Sequence, residues 1–298
     1  MYAALLNKEL VLAVSEAGKV RENPAYLNQE VYRCPRCQKP VILVLSQKAE
    51  PFFKHYQAYR GLGEQEEHRQ GKMLLKAALT AAGLNAKAEV PLADGALRAD
   101  VLATPLLAFE VQCAPLSKGE FAHRHALYQA IGIKDVWLVG RRHFLGEKLK
   151  QTQLIFFREN RCWGSYYLEI HQEAGLIRLK YQIRQAPVSQ TLLYRQVDFA
   201  LDAEGIAALW HFRPLLPPPL ADDWVKERDY LDQQLKEKSK LGQKPGELMY
   251  LAGYTVFTLP KEAFSTWRRP GEKSWLLKFL QQKNQPLKER LAIRDEGG

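Results

Sequence analysis

The sequence predicts an α/β protein whose core is a mixed sheet of element order α-β-β-β-α-β. A small β-rich module precedes the core, and an α+β region follows it. Three observations lead there. Helix formers run from Glu64 to Ala82 with Met73, Leu74, Ala77, Ala78 and Ala81 at helical spacing, and Gly83 closes the run as a C-cap. Three strand-like runs follow, Ala86–Pro91, Leu97–Ala103 and Leu106–Gln112, the first two joined across the turn signal Asp94-Gly95. Ser117 with Glu120 three residues on then opens a second helix to about Ile131, and Gly132 leads into the apolar Val-Trp-Leu-Val run within 134–140, a buried strand.

The flanks are read more coarsely. Residues 2–14 form two short strands around a turn at Asn7-Lys8. Residues 31–60 hold Cys34-Pro-Arg-Cys37, the β-rich Val41–Leu45 and the aromatic segment Phe52-Phe53-Lys54-His55-Tyr56. Residues 154–184 look β-rich, Leu215–Pro219 reads as a linker, and 221–241 and 262–296 read as charged helices. The expected domains are 1–60, 61–150 and 151–298.

Lys and Arg total 43 against 33 Asp and Glu, a net charge of +10. That balance suits a polyanion such as nucleic acid, although mildly basic surfaces are common on soluble proteins. No apolar run approaches the ~18 residues of a membrane span. No basic leader precedes an apolar stretch, so a cytoplasmic protein is expected. In that reducing compartment Cys34, Cys37, Cys113 and Cys162 are not expected to form a structural disulfide.

The chemistry centres on two strands. Asp100 sits in Arg98-Ala-Asp100-Val-Leu, and Glu110 and Gln112 lie two apart on the next strand, so they share a face. Carboxylates inside apolar strands need partners. A divalent cation such as Mg²⁺ supplies one, because it takes hard oxygen ligands and activates water against a phosphate. The alternative is two solvated carboxylates at strand ends. On the first helix Glu64, His68 and Lys72 are spaced i, i+4, i+8 and share a face. They either complete the acidic site, with His68 as ligand or proton carrier and Lys72 as its positive charge, or form a solvated helix end. Arg124 and Tyr128 on the second helix are candidate DNA contacts, with a surface Arg and a half-buried Tyr as the alternative. Cys34-x-x-Cys37 is half of a tetrahedral zinc site, with His55 a third ligand. Near the C-terminus Trp267, Trp275 and Phe279 alternate with Arg268, Arg269, Lys273 and Lys278, either for single-stranded nucleic acid or as an amphipathic helix.

The α-β-β-β-α-β order with Asp100 and Glu110-x-Gln112 resembles the PD-(D/E)XK nuclease core. Ala99 stands where that pattern has Pro, and Gln112 where it has Lys. Adding Tyr32-x-Cys34-Pro-x-Cys37, Pro51-Phe-Phe-Lys-His55 and Glu64…His68…Lys72, residues 1–140 resemble the competence protein CoiA-like family. Phe52 takes the place of that family's first His. The resemblance implies a Mg²⁺- or Mn²⁺-dependent deoxyribonuclease, with zinc in the Cys/His module. It would act on single-stranded DNA or recombination intermediates during natural transformation, beside recombination proteins. The competing expectation is a catalytically impaired fold that serves recombination by binding DNA.

Overall fold

The computed structural model describes residues 2–23, 26, 31–36, 38, 40–45, 50–55, 58–104, 106–215, 220 and 223–295, with side chains at these positions except 55, 58–65 and 286–295. The chain parts into two compact units, 1–66 and 67–298.

In the first unit, strands β1 (Ala3–Leu6) and β2 (Glu9–Leu12) pair across Asn7 and Lys8, both of positive φ, as the turn signal requires. Helix α1 (Ala13–Glu22) follows. Strands β3 (Tyr32–Arg33), β4 (Pro40–Val44) and β5 (Phe52–His55) complete a five-stranded sheet ordered β2-β1-β3-β4-β5. Its core packs Ala4, Ala13, Ala17, Tyr32, Val41 and Phe53, and Cys34 is buried among them. Cys37 and the side chain of His55, two of the three expected zinc ligands, lie outside the described residues.

Helix α2 (Ala58–Ala81) begins six residues before Glu64. Strands β6 (Lys87–Leu92), β7 (Leu97–Thr104) and β8 (Leu107–Gln112) are antiparallel neighbours. After helix α3 (Lys118–Ala130), strand β9 (Lys134–Val139) pairs parallel with β8. The expected α-β-β-β-α-β order is therefore present. Ser117 caps α3 by accepting from the Glu120 amide at 3.1 Å.

One side of the sheet packs Val101, Phe109 and Val111 on Leu75 and Leu79 of α2. Each fully buried Leu contributes about 1.5–3 kcal/mol. Gly71 allows the helix this close: a Cβ there would meet Val111 Cγ1 at 3.0 Å and Gln172 Nε2 at 3.1 Å.

The boundary expected near residue 150 is crossed by the same sheet. Strands β11 (Gly164–His171), β12 (Leu176–Gln185) and β13 (Leu192–Ala200) extend it in the order β13-β12-β11-β9-β8-β7-β6, with β10 (Arg158–Asn160) paired to β11. The join is parallel, Glu169 against Val139. Leu154–Phe156, read as strand, belongs instead to a 3₁₀ turn (Gln151–Phe156). Phe156 packs there against Phe121 and Trp137, and Gln153 donates to the Phe144 carbonyl. Helix α4 (Ala203–His211) packs on the sheet. Helices α5 (Trp224–Lys236), α6 (Lys240–Ala252), α7 (Glu262–Ser265) and α8 (Trp275–Asp295) gather a separate core around Leu231, Met249, Phe264, Leu276 and Leu280. Trp275 and Phe279 stack at 4.9 Å and pack against that core, which is the amphipathic-helix arrangement. Among the described residues no helix is long and apolar enough to cross a membrane.

Candidate active site

Strand register builds the site. The β6–β7 ladder pairs Ala88 with Val101 and Val90 with Ala99, which brings Glu89 opposite Asp100. The β7–β8 ladder pairs Val101 with Phe109 and Leu102 with Ala108, which brings Glu110 opposite Asp100 from the other side. Three carboxylates thus stand in a row across three adjacent strands. Glu89 was not foreseen as part of this site.

Asp100 is buried and well supplied with partners. Its Oδ2 accepts the Val111 amide at 2.9 Å. His68 Nε2 lies 3.3 Å and Lys72 Nζ 3.7 Å from its Oδ1. Burial alone would push the carboxyl up. The hydrogen bond and charge of His68, the Val111 amide and Lys72 outweigh it and hold the carboxyl below the usual range.

His68 reaches Asp100 in a set orientation. Its Nδ1 lies 2.6 Å from the Val111 carbonyl oxygen, which can only accept, so Nδ1 carries the proton. The hydrogen bond to Asp100 then needs a second ring proton, on Nε2; without that proton Nε2 has a lone pair to offer a cation instead. Lys72 also pairs with Glu89, whose second oxygen receives Arg98 Nη1 at 3.4 Å.

Glu110 has a different environment. It is 1% exposed and accepts from Tyr128 Oη and Arg124 Nη2. Burial, then the neighbouring Asp100 charge, push its carboxyl up to about 8, against the opposing pull of Arg124. Burial also raises the Tyr128 phenol. The Arg124 guanidinium lies 5.0 Å from the Trp137 ring centroid. Arg124 and Tyr128, expected at the DNA backbone, therefore face inward onto Glu110, and Tyr128 is fully buried. Gln112 donates from Nε2 to the Ala114 carbonyl at 2.7 Å, which ties its amide to the following loop. The Glu64 side chain lies outside the described residues. Glu67, one residue before His68, accepts the Arg141 amide at 2.7 Å.

Single ligand atoms of His68, Glu89 and Asp100 lie within 4.8 Å of one another. Two carboxylate oxygens and an imidazole nitrogen suit a divalent cation that accepts mixed N/O ligands. The raised carboxyl of Glu110 beside Asp100 is also what such a cation would relieve. Glu110 lies outside this trio, and its oxygens are engaged by Arg124 and Tyr128.

No curated protein and no solved structure matches the chain. A family model described as competence protein CoiA, nuclease-like domain, matches residues 64–198, the stretch from α2 into β13 that holds every residue of the site above. Over these residues the chain is similar to the competence protein CoiA nuclease-like domain.

Proposed function

We propose that this domain is a divalent-metal-dependent deoxyribonuclease of the PD-(D/E)XK type, acting in DNA processing or recombination during natural transformation. One observation carries the reading. In a nuclease-like domain, Asp100 stands in register between two other acids, and His68 and Lys72 arrive from the adjacent helix.

Asp100, Glu89 and His68 Nε2 would hold Mg²⁺ or Mn²⁺, and the imidazole ligand favours Mn²⁺. When bound, the cation lowers the pKa of the attacking water and stabilises charge developing on the phosphate. Lys72 presents its ammonium beside Asp100, where it offsets charge on the scissile phosphate, the task Lys performs at the position of Gln112 in the wider pattern. Arg124 and Tyr128 orient Glu110, the second acid of the resembled motif, toward Asp100. Gln112 positions water through its free amide oxygen side, with no charge to contribute.

A second reading has its own support. Gln112 is tied to Ala114 and the Lys72 ammonium is already shared between Asp100 and Glu89, which suits a fold that binds DNA without cutting it. Cleavage of labelled linear, circular and single-stranded DNA with Mg²⁺, Mn²⁺ or EDTA separates the two, beside an Asp100→Ala/Glu110→Ala double variant. Metal-dependent cutting lost in the variant is the expected result. Intact DNA binding with no cutting under any metal would replace the enzyme with the accessory protein.

A further inference from the structure

A groove of about 700 Å³ runs along the exposed face of α2 and passes beside the site at Lys72 and Glu89. Arg69, Lys72, Met73 and Lys76 line it at helical positions i, i+3, i+4 and i+7, so they form one stripe. Arg69 and Lys76 are about 10 Å apart along the axis, given a rise of 1.5 Å per residue. Lys72, midway along the stripe, and Glu89 also line it; they pair with each other, and both lie against Asp100 in the acidic site. Whatever lies in the groove therefore passes beside Asp100.

Its surface combines two chemistries. Three cations face one acid, which suits a polyanion. Between them Met73 is 59% exposed, and Ala77 and Ala81 continue an apolar floor. Arg69 Nη1 lies 3.3 Å from the Met73 sulfur, so the cation and the apolar surface are adjacent. A duplex presents only phosphates to such a groove, because its base faces are stacked inside. An unpaired strand presents phosphates to Arg69 and Lys76 and base faces to Met73, whose thioether packs well against aromatic rings.

We infer that the α2 groove is the binding track for a single-stranded stretch of DNA, which it holds beside Asp100. This rests on the nuclease reading for the identity of the polyanion, and it adds where the strand lies and which residues hold its phosphates and bases.

The test is equilibrium binding in EDTA, where no cleavage occurs, of labelled oligothymidylate and of a duplex of equal length. The full chain is compared with Lys76→Glu and Met73→Ala, both exposed positions outside the acidic cluster, with thermal unfolding as the folding control. The wild type should prefer the single strand. Lys76→Glu should weaken single-strand binding about tenfold and lower its salt dependence. Met73→Ala should weaken the single strand about fivefold to tenfold and leave the duplex unchanged. Unchanged single-strand affinity in both folded variants overturns the groove, and so does equal affinity of the wild type for the two DNA forms. If that happens while the wild type still cuts DNA, the nuclease reading stands without the groove. The expected binding pattern with no cutting under any metal keeps the groove and removes the nuclease.

Discussion

Glu89 stands opposite Asp100 in the β6–β7 ladder, yet its backbone is left-handed, with φ at 56°. Its neighbours Ala88 and Val90 keep their partners, so the departure is confined to one residue. A non-glycine residue in this region costs on the order of 1–2 kcal/mol. The return is chemical: the Glu89 carboxylate lies within 4.8 Å of ligand atoms of His68 and Asp100.

Glu89→Gly separates backbone from carboxylate. Glycine adopts the same φ without strain, but it adds entropy to the unfolded chain, so stability should stay within about 1 kcal/mol of wild type. The lost ion pairs with Lys72 and Arg98 are partly exposed and contribute little. Mn²⁺ affinity, read by calorimetry, should fall at least tenfold. A folded variant with unchanged Mn²⁺ affinity would remove Glu89 from the ligand set.

Glu110 makes stability depend on pH in an unusual direction. Its carboxyl is raised from 4.5 to about 8, first by burial and then by the Asp100 charge. The folded chain therefore holds this proton more tightly than the unfolded chain. Its contribution is fully present below pH 4.5 and is lost as pH rises toward 8. At about 1.4 kcal/mol per unit, the loss is on the order of a few kcal/mol. Asp100, held below its ordinary 3.8, acts in a lower window: its contribution is present above that value and is lost as pH falls. Urea midpoints measured in EDTA between pH 5 and 8 should decline in the wild type relative to Glu110→Gln. Parallel curves for the two proteins would show that Glu110 ionises normally.

The turn at Asp94-Gly95 already contained the position of Glu89. A hairpin folded about those two residues sets Leu92 against Leu97 and, counting outward, Glu89 against Asp100, the register observed. The sequence does not reveal that Glu89 alone would leave the ladder, because that depends on Lys72 and Arg98 converging on it. Arg124 and Tyr128 were readable as one helix face. Which way that face turned depends on the packing of α3 against β8 and β9, where buried Glu110 supplies the partner. Leu154–Phe157 reads as strand from its apolar run, but contacts with Phe121, Trp137 and Tyr167 decide its fold. Strand β13 escaped notice because its exposed and buried positions do not alternate cleanly.

Lys72 and Gln112 make a reciprocal test. Lys72 brings an ammonium to Asp100 from the helix, while Gln112 points its amide nitrogen at Ala114. Lys72→Ala should lower cleavage about 10²-fold, the usual loss when a charge-stabilising donor is removed. Adding Gln112→Lys restores an ammonium from the strand and should recover part of the rate. The readout is single-turnover cleavage at saturating Mn²⁺. If Lys72→Ala cuts as fast as wild type, the helix cation is not a substitute for the strand lysine.

Gly140 supports the site from behind. A Cβ there would lie 2.5 Å from Glu67 Oε1 and 2.7 Å from Cys113 Sγ, both closer than real Cβ atoms come. Glu67 is held at that spot by the Arg141 amide, and Cys113 follows Gln112 directly and is buried. To make room, Glu67 must give up its bond from the Arg141 amide and the buried Cys113 thiol must move. Gly140→Ala should therefore cost about 1–3 kcal/mol, as overpacking does. Gly18→Ala in α1 is the control: nothing lies within 4 Å of its Cβ, so it should gain a few tenths to about 1 kcal/mol from helix propensity. Because His68 adjoins Glu67 on α2, Gly140→Ala should also reduce cleavage at temperatures where the variant is fully folded. Unfolding curves with opposite signs for the two substitutions, and a rate loss only in Gly140→Ala, are the expected pattern. A Gly140→Ala protein as stable and active as wild type would mean that Glu67 moves freely and does not help place His68.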